Sequence, residues 1–264
     1  MSKLKILVVE GNTKEENVNF NQAGCVSQSE NFSKHIKMHE PDCDVDIIEP
    51  ADSSSMEKII SSLKQYKGII LTGSTLRIND NSEVVKKHID FTRRCFEHTG
   101  YIYAACWGLQ VSVTAAGGEC RVSPNGANTG IAQDVLLTDA GTKHGLYKSK
   151  PKKFNAPGFN FDEVEVPPKN SVLLASTNIN KFAAMHFTAG KSEVWGLQYH
   201  PEIPYSYMIR LLKHRKKRLI DNKSFKDENE LNKHIDLITK EDQKTNDSSR
   251  TLELKNWLNY IKKS

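Results

Sequence analysis

Four short apolar runs rich in β-branched residues constrain this chain most: KILVV at 5–9, VDII at 45–48, GIILT at 68–72 and YIYAA at 101–105. Amphipathic stretches near 28–38, 54–65 and 82–98 separate them. Runs this short are strands, and strands apolar on both faces need helices above and below. The alternation predicts an α/β protein with a doubly wound, mostly parallel sheet and helices on both faces. In such sheets functional groups gather beyond the carboxyl ends of the strands. YIYAA runs directly into CWGLQ, so Cys106 falls at such an end, just before a helix closed by Gly117 and Gly118.

Residues 119–170 are richer in Gly, Pro and Asn and read as loops with short strands, among them DVLLT at 134–138. Three more strands are expected at VLLAS, KFAAMHF and EVWGLQY, the last entering HPEIP. A helix should extend from Ile203 through YSYMIRLLKHRKKRLI. After Asn222 the chain turns polar and lysine-rich, with helical patterns in DENELNKHIDLITK and TLELKNWLNYIKK. This divides the chain into a domain over 1–220 and a polar helical C-terminal tail over 221–264, expected as an appendage outside the core. Leu252, Leu254, Trp257, Leu258 and Ile261 nevertheless form an apolar stripe that must cover this chain or another.

Composition excludes several classes. No apolar run is long enough to cross a bilayer, and the opening MSKLKILVVEG shows no signal-peptide pattern, so a cytoplasmic protein without membrane attachment is expected. Five cysteines, with no C-x-x-C pair, indicate neither a disulfide framework nor a zinc site. The net charge of +5 arises from interspersed charges, and KHRKKR at 213–218 reads as the solvated end of a helix rather than a nucleic-acid patch. No metal and no cofactor is expected. LTGSTLR lacks the G-K-[ST] ending of a phosphate loop, and no S-G-G-x-D-S type of loop is present to bind ATP.

The chemistry lies in two motifs. His200 in YHPE follows a strand-like run, so it too belongs at a carboxyl end, where the fold can bring it to Cys106. Glu202 is near enough in the chain to orient the imidazole. A nucleophile, a base and an orienting carboxylate are what thiolate acyl transfer requires, and a cysteine beside a histidine at a helix N-terminus favours the thiolate.

AACWGLQ followed by GLQYHPE resembles the paired signature of class I glutamine amidotransferases, the Cys-His-Glu type, and most closely their GMP-synthase-like branch. The resemblance extends over most of residues 1–212, through ILTGS, AAGGE and GFNFDEV. It implies a flavodoxin-like domain that hydrolyses the side-chain amide of glutamine or a related γ-glutamyl amide, giving glutamate and ammonia or an amine. Cys106 would form a γ-glutamyl thioester, His200 would carry protons and Glu202 would hold His200. The oxyanion would be bound by the amides of Trp107 and Gly73, and Gln110, Gly158 and Phe159 would contact the substrate. Two positions depart from the family pattern: Ala104 stands where Gly is usual, and Asn160 stands where the middle motif carries His.

Partners follow from the same resemblance: a glutamine or γ-glutamyl small molecule, and either a separate synthetase subunit that receives the ammonia or a second copy of this chain. A non-catalytic regulatory member is the remaining alternative. The long segment GNTKEENVNFNQAGCVSQSEN after the first strand is more than a minimal glutaminase needs, and favours a free-standing hydrolase in which it closes over the amine side of a larger substrate. Cys25, Cys43, Cys95 and Cys120 lack partners and read as packing or surface, with Cys25 near enough in sequence to overhang the pocket. His35 and His39 share a helix face and read as solvated, while His186 and Trp195 read as core.

Overall fold

The computed structural model describes residues 3–53 and 56–264. Eight segments of the first half alternate as the sequence rhythm requires: β1 (Lys5–Val9), α1 (Lys14–Gln22), α2 (Gln28–His39), β2 (Asp44–Ile48), α3 (Glu57–Ser62), β3 (Gly68–Leu71), α4 (Glu83–His98) and β4 (Tyr101–Ala105). Local chemistry sets the helix starts. The Thr13 and Ser82 side chains accept from Glu16 N and Val85 N, and Ser27 and Glu30 form a reciprocal capping box. Helix α1 and the start of α2 occupy the long segment GNTKEENVNFNQAGCVSQSEN after β1. The first two residues of the expected 54–65 helix, like residues 1 and 2, lie outside the described residues.

The chain continues through α5 (Trp107–Ala115), β5 (Glu119–Val122), β6 (Asn128–Thr129), β7 (Ala132–Leu137), α6 (Asp139–Lys143), β8 (Lys153–Ala156), β9 (Phe159–Asn160), β10 (Asp162–Val166), β11 (Val172–Ser176), β12 (Ala184–Ala189) and β13 (Ser192–Leu197). It closes with α7 (Tyr205–His214), α8 (Lys216–Asp221), α9 (Glu228–Lys244), α10 (Asp247–Arg250) and α11 (Leu252–Lys263). Nine strands form one sheet in the order β2-β1-β3-β4-β13-β12-β11-β7-β8. Its first five strands are parallel, and β12, β11, β7 and β8 extend it antiparallel. The sheet is therefore mixed, and the parallel half brings the carboxyl ends of β1, β3, β4 and β13 to one edge.

Alternate residues of the parallel strands face opposite layers, as a period of two demands. On one face Ile6, Val8, Ile70 and Tyr103 pack with Phe32 and Ile36 of α2 and with Leu254, Trp257, Leu258 and Ile261 of α11. On the other, Leu7, Ile69, Leu71, Ile102 and Ala104 pack with Phe91 and Cys95 of α4 and with Leu109 and Val113 of α5. The apolar stripe of the C-terminal segment thus covers this chain, and the expected appendage is part of its core. Trp257 is fully buried, with its ring so close to Gly68 that a Cβ there would stand 2.7 Å from Cη2. Helix α9 contributes Leu231, Ile235 and Ile238 to a third cluster with Tyr205, Leu212 and Leu219.

Two surface readings also change. His35 is fully buried, and His39 bonds the Thr251 hydroxyl at 2.8 Å, because α2 is covered by the C-terminal helices rather than by solvent. Within KHRKKR, Arg215 turns inward to pair with Glu16 at 2.6 Å. Among the described residues no helix is long and apolar enough to cross a membrane.

Candidate active site

Cys106 occupies the hand-over from β4 to α5 with φ 50° and ψ −103°, a left-handed backbone for a residue with a side chain. Such strain persists only where the surroundings fix it. Here Cys106 N donates to Leu197 O at 2.7 Å and Gly108 N to Thr72 O at 3.0 Å. Any Cβ at 108 would lie 2.2 Å from Leu71 O, so glycine is needed for the turn to press against β3. Ala104, the departure from the family pattern, is in register with Gly196 and wholly buried, so its methyl faces a neighbour without a side chain.

His200 leaves β13 with its amide donating to Pro157 O at 2.7 Å. Its Nδ1 donates to Glu202 Oε1 at 2.7 Å, which directs Nε2 towards Cys106. Both residues are buried. Burial by itself disfavours the imidazolium, but the negative charges of Cys106 and Glu202, each also hydrogen-bonded to the ring, outweigh it and raise the His200 pKa to about 10. The ring leaves room only for glycine at 73, where a Cβ would meet His200 Cε1 at 2.5 Å. Gln198, not singled out from sequence although it stands in the same GLQYHPE run, donates through Nε2 to Cys106 Sγ at 3.5 Å.

The other expected residues fall in different places. Gln110 lines the cavity, and its Nε2 donates to Gln198 Oε1 at 3.3 Å and to Asp162 O at 3.1 Å, so it also holds the residue beside the thiol. The Phe159 carbonyl lies 3.7 Å from Cys106 Sγ, while Gly158 stands one step back against Ala132. Among the described residues, no group accepts from the amides of Gly73 or Trp107. Asn160 joins Asn128 and Asn180 in a buried amide network, with Asn128 Nδ2 2.8 Å from Asn160 Oδ1 and 2.7 Å from Asn180 Oδ1.

A cavity of about 310 Å³ opens over Cys106 and His200. One side is polar, with Gln110 and the Arg77–Asp162 pair, whose Nε–Oδ2 and Nη2–Oδ1 distances are 2.6 and 2.5 Å. Phe20, Ile203, Met208 and Leu211, which pack in one apolar cluster, form an apolar wall, and Arg215 and Arg218 also line the cavity. The segment after β1 supplies Phe20 and Gln28 to this wall, and the buried Gln28 Oε1 has no hydrogen-bond partner among the described residues. Cys25 is buried beneath Ile203 and Met208 rather than over the cavity. Burial pushes the thiols of Cys25, Cys43, Cys95 and Cys120 up, Cys43 to about 11 and Cys120 to about 12, so none of them is a ready nucleophile. Among the described residues no three His, Cys, Asp or Glu side chains cluster so as to hold a metal.

A thiol on a strained strand-to-helix turn, an imidazole and a carboxylate thus meet at one edge of a mixed sheet. The sequence matches glutamine amidotransferase class-I over residues 28–213, and the chain belongs to that family. It is 30% identical to a gamma-glutamyl-L-1-hydroxyisopropylamide hydrolase of a Pseudomonas species, across 99% of this chain and 94% of that protein. It is also 30% identical to a glutamine-hydrolysing GMP synthase subunit of Methanocaldococcus jannaschii, over 56% of this chain and 70% of the other. A glutamine amidotransferase of Thermotoga maritima shares the fold over the full length of both chains, with a TM-score of 0.72 at 15% identity.

Proposed function

We propose that this chain hydrolyses the γ-amide of a γ-glutamyl compound whose leaving group is an amine larger than ammonia, through a thioester on Cys106. The observation that carries this reading is Cys106 on its strained turn beside His200, which is itself bonded to Glu202 at 2.7 Å. The Cys106 thiolate attacks the γ-carbonyl carbon, and the displaced electron pair moves to oxygen, towards the amides of Trp107 and Gly73. His200 gives its Nε2 proton to the departing nitrogen as the C–N bond breaks, leaving a γ-glutamyl thioester and the free amine. Water then attacks the thioester and passes a proton to His200, which frees glutamate and the thiolate. Glu202 fixes the ring orientation and supports its charge throughout.

Two facts favour an amine over ammonia. The cavity of about 310 Å³ that takes in Cys106 is also lined by Phe20, Met208 and Leu211, apolar surface that ammonia does not need. The Pseudomonas hydrolase, named for the amide of a small amino alcohol, is similar over nearly the whole chain, including the C-terminal helices. The test is glutamate release by the purified chain from a panel of γ-glutamyl alkylamides, hydroxyalkylamides and glutamine. Turnover of an alkylamide above that of glutamine is expected. Turnover of glutamine alone, and only after a synthetase is added, would make the chain a donor of ammonia to that enzyme.

A further inference from the structure

The C-terminal helices reach the candidate site from behind, where they grip the chain on both sides of His200. Before it, the buried Tyr199 hydroxyl donates to Glu253 Oε1 at 2.9 Å. After it, Arg250 Nη1 donates to the carbonyl of Pro201, the peptide that leads into Glu202. Arg250 and Glu253 are themselves buried and fixed. Arg250 Nη2 lies 2.5 Å from Asp247 Oδ1 and 3.3 Å from His35 Nε2. Since His35 Nδ1 donates to Asn31 O at 2.8 Å, its Nε2 carries the lone pair that accepts from Arg250. Burial, and then the Arg250 charge, lower the His35 pKa and keep that lone pair free. Lys150 Nζ closes the assembly through Glu253 Oε2 at 2.8 Å and the carbonyls of Ser249 and Arg250 at 3.2 and 3.3 Å.

We propose that the 247–253 junction is a clamp that sets the geometry of the His200–Glu202 pair, with Arg250 and Glu253 as positioning residues lying outside residues 28–213 that match the family. The inference rests on reading His200 as the proton carrier. Its physical basis is that Glu202 has one bond to the imidazole, while its second oxygen has no partner among the described residues. The direction of the Glu202 carboxylate is therefore set by the backbone that carries it, and Arg250 holds that backbone at Pro201. A guanidinium can serve the carbonyl, His35 and Asp247 at once because its donors form a rigid planar fork, which an ammonium lacks.

The experiment follows the full-length protein and its Arg250→Gln, Arg250→Lys and Tyr199→Phe variants. Iodoacetamide alkylation of Cys106 is measured from pH 5 to 10 by mass spectrometry, alongside thermal melting, kcat and KM. For Arg250→Gln the alkylation profile should shift by roughly one pH unit, and kcat should fall about tenfold or more with KM within about twofold, since an interaction confined to the chemical step lowers kcat. Arg250→Lys should recover part of both. An Arg250→Gln protein that melts earlier but keeps the wild-type alkylation profile and kcat would reduce the junction to ordinary packing and overturn the proposal. If that variant does not fold, Tyr199→Phe, which keeps the ring and loses the hydroxyl's bonds to Glu253 and Tyr147, is judged by the same two readouts. Alkylation needs no substrate, so a shifted profile without amide hydrolysis by the wild type would sustain the clamp while refuting the proposed reaction.

Discussion

Gly73 and His200 pack so closely that a single methyl on the glycine would stand 2.5 Å from the imidazole Cε1. The contact joins the carboxyl end of β3 to that of β13, and it couples the Gly73 amide, which would receive the oxyanion, to the ring that would move the proton. Gly73→Ala keeps the amide but should displace His200 and cost about 10²-fold in kcat, the scale of a 1 Å misplacement of a catalytic group. Steady-state kinetics with a melting curve checks this, and a variant of wild-type activity would contradict the packing.

Gln198 is the test of the thiol's surroundings. Its Nε2 lies 3.5 Å from Cys106 Sγ, and Gln110 holds its carbonyl oxygen. Hydrogen bonds to charged groups contribute about 1.5–3 kcal/mol, so Gln198→Leu should slow iodoacetamide attack on Cys106 at neutral pH by roughly tenfold or more. An unchanged alkylation rate would remove Gln198 from the site.

The charge state of His200 makes a prediction about stability. Burial opposes its protonation, yet Cys106 and Glu202 raise its pKa from the ordinary 6.5 to about 10. A folded-state pKa above the unfolded value means that this contribution is fully present below about pH 6.5 and is lost as pH rises through about 10. The wild type should therefore lose melting temperature between pH 7 and 10 more steeply than Cys106→Ala, in which the charge that raises the pKa is gone. Parallel curves for the two proteins would show that no such ion pair forms.

Trp257 fixes the C-terminal helices to the sheet. It is fully buried against Gly68 and lies 5.6 Å from the Tyr103 ring. Trp257→Ala should cost about 3–5 kcal/mol, as large-to-small aromatic changes in cores do, and a chain ending at Asn222 should lose cooperative folding. Chemical denaturation measures both, and a shortened chain as stable as the whole would make residues 221–264 a separate appendage.

The parallel half of the fold was legible because β1, β3 and β4 are buried on both faces and read as continuous apolar runs. The antiparallel half was harder: DVLLT and VLLAS predict strands, but nothing local says that β7 pairs with β11 rather than with the parallel edge. Cys106, His200 and Glu202 stood out because each lies at a strand end beside its own motif. Arg250 and Glu253 could not, since their partners at Pro201 and Tyr199 are 49 and 54 residues away and polar residues in a lysine-rich segment carry no periodic signal. His35 misled for a related reason: HIKMH looks solvated until α11 and Arg250 are laid over it.

The central claim is a γ-glutamyl thioester on Cys106. Its most direct test is acid quenching of the enzyme during turnover of a γ-glutamyl amide, followed by mass spectrometry of the peptide that contains residues 101–110. The account predicts a mass increase of one glutamyl residue on Cys106 in the wild type, with neither adduct nor glutamate release in Cys106→Ala. An adduct on another cysteine, or undiminished release by Cys106→Ala, would contradict it.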